Sequence, residues 1–201
     1  MRRPQLQSSR LRNGLVTMDK AKKLQKIARE IENCSICKQN KSGKAVPGEG
    51  NPDADVVFIG EAPGRTESLT GRPFVGRSGK FLRQLISSIG LKEDEVFITS
   101  PVKYLPDRGT PSAKDIEHGK IHLQKQLEVI NPKIIVLLGS VAVQGVLGEE
   151  IPTLKNHGKI IEKDGRKYFL TIHPAAGIRF PSLRKLLEKY FKKLKSLLSS
   201  S

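Results

Sequence analysis

The sequence predicts an α/β fold: a three-layer α/β/α sandwich around a central, mostly parallel sheet of about four strands. Short apolar runs without polar alternation, such as Val56-Val57-Phe58-Ile59 and residues 134–139, read as strands covered on both faces. Between them lie segments with helical period, and strands alternating with helices imply a parallel sheet between helical layers. A length of 201 residues suits one domain with tails and is enough to bury a core.

Each element follows from local pattern. Residues 18–33 place Leu24, Ile27, Ala28 and Ile31 on one helical face. Residues 38–52 are rich in Gly, Pro and Asn and form a loop. A strand over 55–60 runs into a long loop, 61–76, which holds five glycines and prolines; a loop of that length inside a domain is usually functional. Residues 79–89 form a helix with Leu82, Leu85, Ile86 and Ile89 inward, and 96–99 a second strand. Ser112 caps a helix to about Ile130, a third strand spans 134–139, and a short helix covers 141–147. Residues 159–162 and 167–172 are strands joined by a turn at Asp164-Gly165. Ser182 caps a last helix with Leu183, Leu187, Phe191, Leu194 and Leu198 on one side and its basic residues on the other. The expected organisation is one domain over 18–198, preceded by residues 1–17 as a basic disordered arm or a misassigned start.

The net charge is +16. Residues 1–17 carry +4 and residues 182–201 carry +5, which leaves +7 on 18–181, so the domain itself is basic. Such a surface attracts polyanions, nucleic acid above all. No apolar run approaches the roughly 18–20 residues of a membrane span, and residues 1–17 lack the apolar stretch of a signal peptide. The expectation is a cytoplasmic, nucleoid-associated monomer that is not secreted and has no membrane partner.

In open α/β sheets ligands bind beyond the carboxyl ends of the strands. The loops leaving those ends are GEAPGRTE (60–67), SPVKY (100–104), GS (139–140) and HPAA (173–176), and three of the four carry unusual polar residues. Cys34 and Cys37 form Cys-x-x-Cys, a metal or redox pattern of a reducing compartment, although two ligands alone are too few for a tetrahedral metal or an iron–sulfur cluster.

VPGEGNP (46–52), GEAPGRTE (60–67), TGRPFVGRSGKFL (70–82) and HPAA (173–176), in this order and spacing behind Cys-x-x-Cys, resemble the family 4 uracil-DNA glycosylases. The resemblance runs from about Met18 to Leu198. It implies a monofunctional DNA-repair glycosylase that flips uracil out of single- or double-stranded DNA, hydrolyses its N-glycosidic bond and leaves an abasic site. It implies Glu61 and Glu67 as carboxylates that stabilise the cation-like sugar and position water, and His173 as the donor to the departing base. Phe74 would stack on the base, and Gly60, Ala62 and Ser100 would shape the base pocket. Pro63, Gly64 and Gly76 would allow close approach to phosphates, with Arg72, Arg77, Lys80 and Lys103 as phosphate contacts. Catalysis would need no cofactor.

Two departures from the family matter. Ser100 stands where members carry the Asn that reads uracil's edge, which leaves open a glycosylase of altered base preference. A non-catalytic DNA-binding member of the fold is a further alternative. The family's four cysteines hold a 4Fe–4S cluster, but Tyr104 occupies the third position and the fourth falls at or next to Gly119. The cluster is expected to be absent or incomplete, with Tyr104 filling its space. His118 and His122, on one helix, leave open a zinc site with Cys34 and Cys37.

Overall fold

The computed structural model describes residues 5–148 and 153–199, so the first four residues of the expected arm lie outside the described residues. The elements are α1 (Gln5–Asn33), α2 (Ser35–Lys38), β1 (Lys41–Ser42), β2 (Glu49–Gly50), β3 (Val56–Ile59), α3 (Arg65–Thr70), α4 (Arg77–Ser88), β4 (Val96–Thr99), β5 (Leu105–Pro106), α5 (Ala113–Ile130), β6 (Ile134–Leu138), α6 (Ser140–Leu147), α7 (Thr153–Asn156), β7 (Ile160–Lys163), β8 (Arg166–Thr171), α8 (Pro174–Arg179) and α9 (Pro181–Ser199). The main sheet has the order β2-β4-β3-β6-β8-β7. Its four central strands are parallel, as expected, and β2 and β7 add antiparallel edges.

The strands alternate their side chains between two apolar layers. Val56 and Phe58 of β3, Val136 and Leu138 of β6 and Phe169 of β8 pack with Leu82, Leu85 and Ile86 of α4 and Leu187, Phe191 and Leu194 of α9. Val57, Ile59, Ile135, Leu137 and Leu170 face the other way, onto Leu123, Leu127 and Ile130 of α5 and Ala142 and Val143 of α6. Both faces being covered explains why these strands read as unbroken apolar runs.

The local signals act as their chemistry requires. Ser112 caps α5 by accepting from the Asp115 amide, and the Asp115 carboxylate returns to the Ser112 amide. Asp164 and Gly165, both at positive φ, turn β7 into β8. Helix α9 begins at Pro181, so Ser182 lies inside its first turn and is not the cap. Helix α1 begins at Gln5 and runs unbroken through Met18, so the backbone of residues 5–17 is helical where the sequence suggests an arm. The sequence of that stretch does not continue the apolar face of Leu24, Ile27 and Ile31, where Ile27 and Ile31 are buried. The loop 61–76 contains α3, a six-residue helix too short to show a period. Among the described residues no helix is long and apolar enough to cross a membrane.

Because β4, β3, β6 and β8 are parallel, residues 60, 100, 139 and 172–173 leave the sheet at one edge. A buried polar cluster braces that edge. The Lys103 ammonium donates to Thr99 Oγ1 at 2.7 Å, Gln126 Oε1 at 2.8 Å and the Pro47 carbonyl at 3.1 Å. Gln126 Nε2 also donates to the Pro47 carbonyl at 2.8 Å. The segment before β2 is thereby tied to the end of β4.

Candidate active site

A pocket of about 280 Å³ opens at the carboxyl edge of the sheet. Glu61, Ala62, Glu67, Phe74, Ser100 and His173, all singled out by sequence, line it together with Pro63 and Gly64. Val46, Pro73, Ser78, Leu105, Gly109 and Ala175 complete the lining.

The two carboxylates sit in different environments. Glu67 is buried, and its Oε1 accepts from the amides of Val75 at 2.8 Å and Gly76 at 2.7 Å. Through Oε1 it latches α3 to the start of α4, while Oε2 receives no hydrogen bond from a described residue. Glu61 follows the end of β3 and receives no hydrogen bond from any described residue. Burial alone raises its pKa above the ordinary carboxylate value of 4.5.

His173 is held in one protonation form. It caps α8, and its Nδ1 accepts from the Ala175 amide at 3.2 Å. An amide can only donate, so the ring proton resides on Nε2. Burial lowers the pKa from 6.5 to about 4, so the imidazole is neutral at physiological pH. The arrangement makes Nε2–H a fixed neutral donor at the pocket.

Phe74 is held between several groups. Its ring stacks on His173 with centroids 5.9 Å apart. A side chain at Gly60 would place its Cβ 2.4 Å from Phe74 Cζ, and one at Gly79 would fall 1.9 Å from the Phe74 carbonyl oxygen. Phe74 itself adopts φ 52°, a costly conformation for a large side chain. Arg83 secures it by donating to the carbonyls of Phe74 and Pro73, both at 3.2 Å. Arg83 also pairs with Glu93 and with Glu49, which in turn receives a two-pronged contact from Arg72. Glu49 and Arg83 are functional supports that sequence reasoning missed. Glu49 lies in the quoted VPGEGNP block, an acid flanked by glycines in a basic chain, and that was the available signal.

Ser100 is buried, and its hydroxyl donates to the Val102 carbonyl at 2.8 Å. Toward the pocket it therefore offers lone pairs only. Among the expected phosphate contacts, Arg77 and Lys80 are exposed on the first turn of α4, and Arg72 is exposed but bound to Glu49. Lys103 is a correction: it is 1% exposed and buried among its three acceptors, where no phosphate can reach it. Burial pulls its pKa down to about 7.

The family model for the uracil DNA glycosylase superfamily matches residues 47–195, which contain every pocket residue except Val46. The chain belongs to the uracil DNA glycosylase superfamily. Within it, a Type-4 uracil-DNA glycosylase of Sulfurisphaera tokodaii is 41% identical over 193 residues, covering 87% of this chain and 84% of that protein. A Type-4 uracil-DNA glycosylase of Archaeoglobus fulgidus is 40% identical over 184 residues, covering 87% and 92%. A Type-5 uracil-DNA glycosylase of Pyrobaculum aerophilum is 29% identical over 151 residues, covering 66% of each. A carboxylate offers about four acceptor sites, so the two amides on Glu67 Oε1 leave its Oε2 without a donor from a described residue, whereas both oxygens of Glu61 are without one.

If Glu67 is the latch, Glu67→Ala should release the Val75 and Gly76 amides. Hydrogen bonds to a charged group contribute about 1.5–3 kcal/mol, so exchange at these two amides should accelerate by about tenfold or more. Amide exchange followed by NMR checks this, with core amides of β6 as the unchanged control.

Proposed function

We propose that the chain is a monofunctional uracil-DNA glycosylase. The observation that carries this is Glu61, a half-buried carboxylate without a donor among the described residues, in one pocket with a neutral His173 whose Nε2–H is fixed. In base excision the C1′–N1 bond breaks, its electron pair goes to the uracil ring, and the sugar becomes cation-like. Glu61 stabilises that cation and takes a proton from the water that adds to C1′. His173 donates from Nε2 to the charge that develops on the base. Phe74 stacks on the flipped base, while Glu67 and Arg83 act as positioning residues for the loop. No lysine of the quoted motifs takes a nucleophile's place, and the pocket chemistry calls for no cofactor.

DNA is the partner that the charge favours. Arg77 and Lys80, exposed on α4, are the proposed phosphate contacts, with Arg72 contributing where it is not held by Glu49. The working unit is proposed as a monomeric domain over residues 18–198, acting in the cytoplasm on nucleoid DNA.

A second reading concerns the base, and Ser100 favours it. With its proton committed to Val102, Ser100 can accept from uracil N3–H but has no donor for a base carbonyl. Cytosine's exocyclic amine offers a similar donor, so edge discrimination is weaker than with an amide that both donates and accepts.

The test is excision from labelled oligonucleotides carrying uracil, hypoxanthine, xanthine or a thymine mismatch, followed by alkali. Uracil should be released, and absence of any released base with DNA binding intact would leave a binding protein. Glu61→Gln and His173→Ala should each slow single-turnover excision about 100- to 1000-fold, because each acts on transition-state charge. The pH profile should lose rate as pH falls through the raised Glu61 pKa, while His173 stays neutral until about 4. That acid limb should vanish in Glu61→Gln. Ser100→Asn should raise uracil excision relative to the other bases, as competition between labelled substrates would measure, without altering affinity for undamaged DNA.

A further inference from the structure

A second cluster of reactive side chains lies away from the pocket. Cys34 sits between α1 and α2, Cys37 on α2, and His118 and His122 one turn apart on α5. Their ligating atoms all lie within 4.8 Å of one another. Cys34 Sγ is 3.1 Å from His118 Nε2. Cys37 and His122 are buried, at 5% and 6% exposure, and His122 Nδ1 is buried without a hydrogen-bond partner. A buried polar nitrogen left unpaired costs free energy, and such groups call for an explanation.

A 4Fe–4S cluster does not explain it. The chain has two cysteines, and Tyr104 is buried with Cys37, Ile27 and Ile31 in one apolar cluster. A cube of four irons also puts each ligand on a different iron, so its ligands must spread wider than those of a single ion. The spacing here suits a single ion. Tetrahedral zinc with bonds of about 2.0–2.3 Å separates its ligands by about 3.3–3.8 Å, and side-chain rotation closes a gap of about 1 Å from 4.8 Å.

We propose that Cys34, Cys37, His118 and His122 bind one Zn²⁺ ion. Two thiolates and two imidazoles are a soft donor set that selects zinc over magnesium or calcium. Four protein ligands leave no open position, so the site is structural. It joins the end of α1 and α2 to α5. Residue 37 leads within a few residues into β1, which pairs with β5, and Leu105 of β5 lines the pocket. The ion therefore fastens the frame from which one rim of the pocket hangs. The proposal does not depend on which base the pocket accepts.

The test uses the full-length, untagged protein. Elemental analysis should find a single zinc per chain with negligible iron. Replacement by Co²⁺ should give the visible bands of a tetrahedral ion together with thiolate charge transfer. Chelation should lower the melting temperature, and Zn²⁺ but not Mg²⁺ should restore it. His118 is only half-buried, so His118→Ala should fold while its zinc affinity, measured against a chromophoric chelator, falls about 100-fold or more. Cys37→Ser should also lose the ion; if it does not fold, His118→Ala and the cobalt spectrum of the wild type decide. Zinc-loaded wild type that holds no stoichiometric zinc, His118→Ala that retains full affinity, or several irons with sulfide per chain would overturn the proposal.

Discussion

The pocket depends on one carboxylate that binds the loop forming its wall. Glu67 Oε1 gathers the amides of Val75 and Gly76 and so closes the segment between β3 and α4 into a fixed loop. That latch acts with Arg83 on the Phe74 and Pro73 carbonyls and Arg72 on Glu49 to hold a segment whose regular structure is only the six residues of α3. Phe74 can persist at a positive φ because Glu67 and Arg83 bind the chain on either side of its ring. The energy of a charged hydrogen bond, about 1.5–3 kcal/mol, is of the same order as the strain it holds.

The chain's two neighbouring acids thus divide the work by environment. Glu67 gives one oxygen to two backbone donors and fixes the loop. Glu61 is half-buried with no donor among the described residues, and burial keeps its carboxyl easier to protonate than an exposed one. His173 complements it by losing its affinity for a second proton to burial while its Nδ1 is held by the Ala175 amide. A carboxylate and a neutral donor in one low-dielectric pocket suit a reaction that separates charge, because neither group must reorganise as the charge appears.

The fold was legible because covered parallel strands write themselves as apolar runs: Val56–Ile59 and Ile134–Leu138 lie within the expected spans. What escaped was short or held by side chains. Helix α3 has no room for a period, β2 has two residues, and residues 5–17 continue a helix without continuing its apolar face. Glu61 and His173 were legible because they stand on loops at strand ends, and Phe74 and Ser100 through the family resemblance. Glu49 and Arg83 were not, since their role is an ion-pair network closed over 34 residues of sequence. Lys103 was misread because a lysine between motif residues normally points to solvent, whereas this one finds three acceptors inside. His118 and His122 were legible as a pair by helical spacing, but only the packing of α2 against α5 brings them to the cysteines.

The central claim is that the fold prepares a neutral His173 with its proton on Nε2 before any substrate arrives. Nitrogen-15 NMR of the imidazole in the free protein measures this directly. The account predicts a protonated Nε2 and an unprotonated Nδ1, unchanged from about pH 8 down to about pH 5, with titration only near the depressed value of about 4. A ring that titrates near the ordinary 6.5, or one that carries its proton on Nδ1, would contradict it.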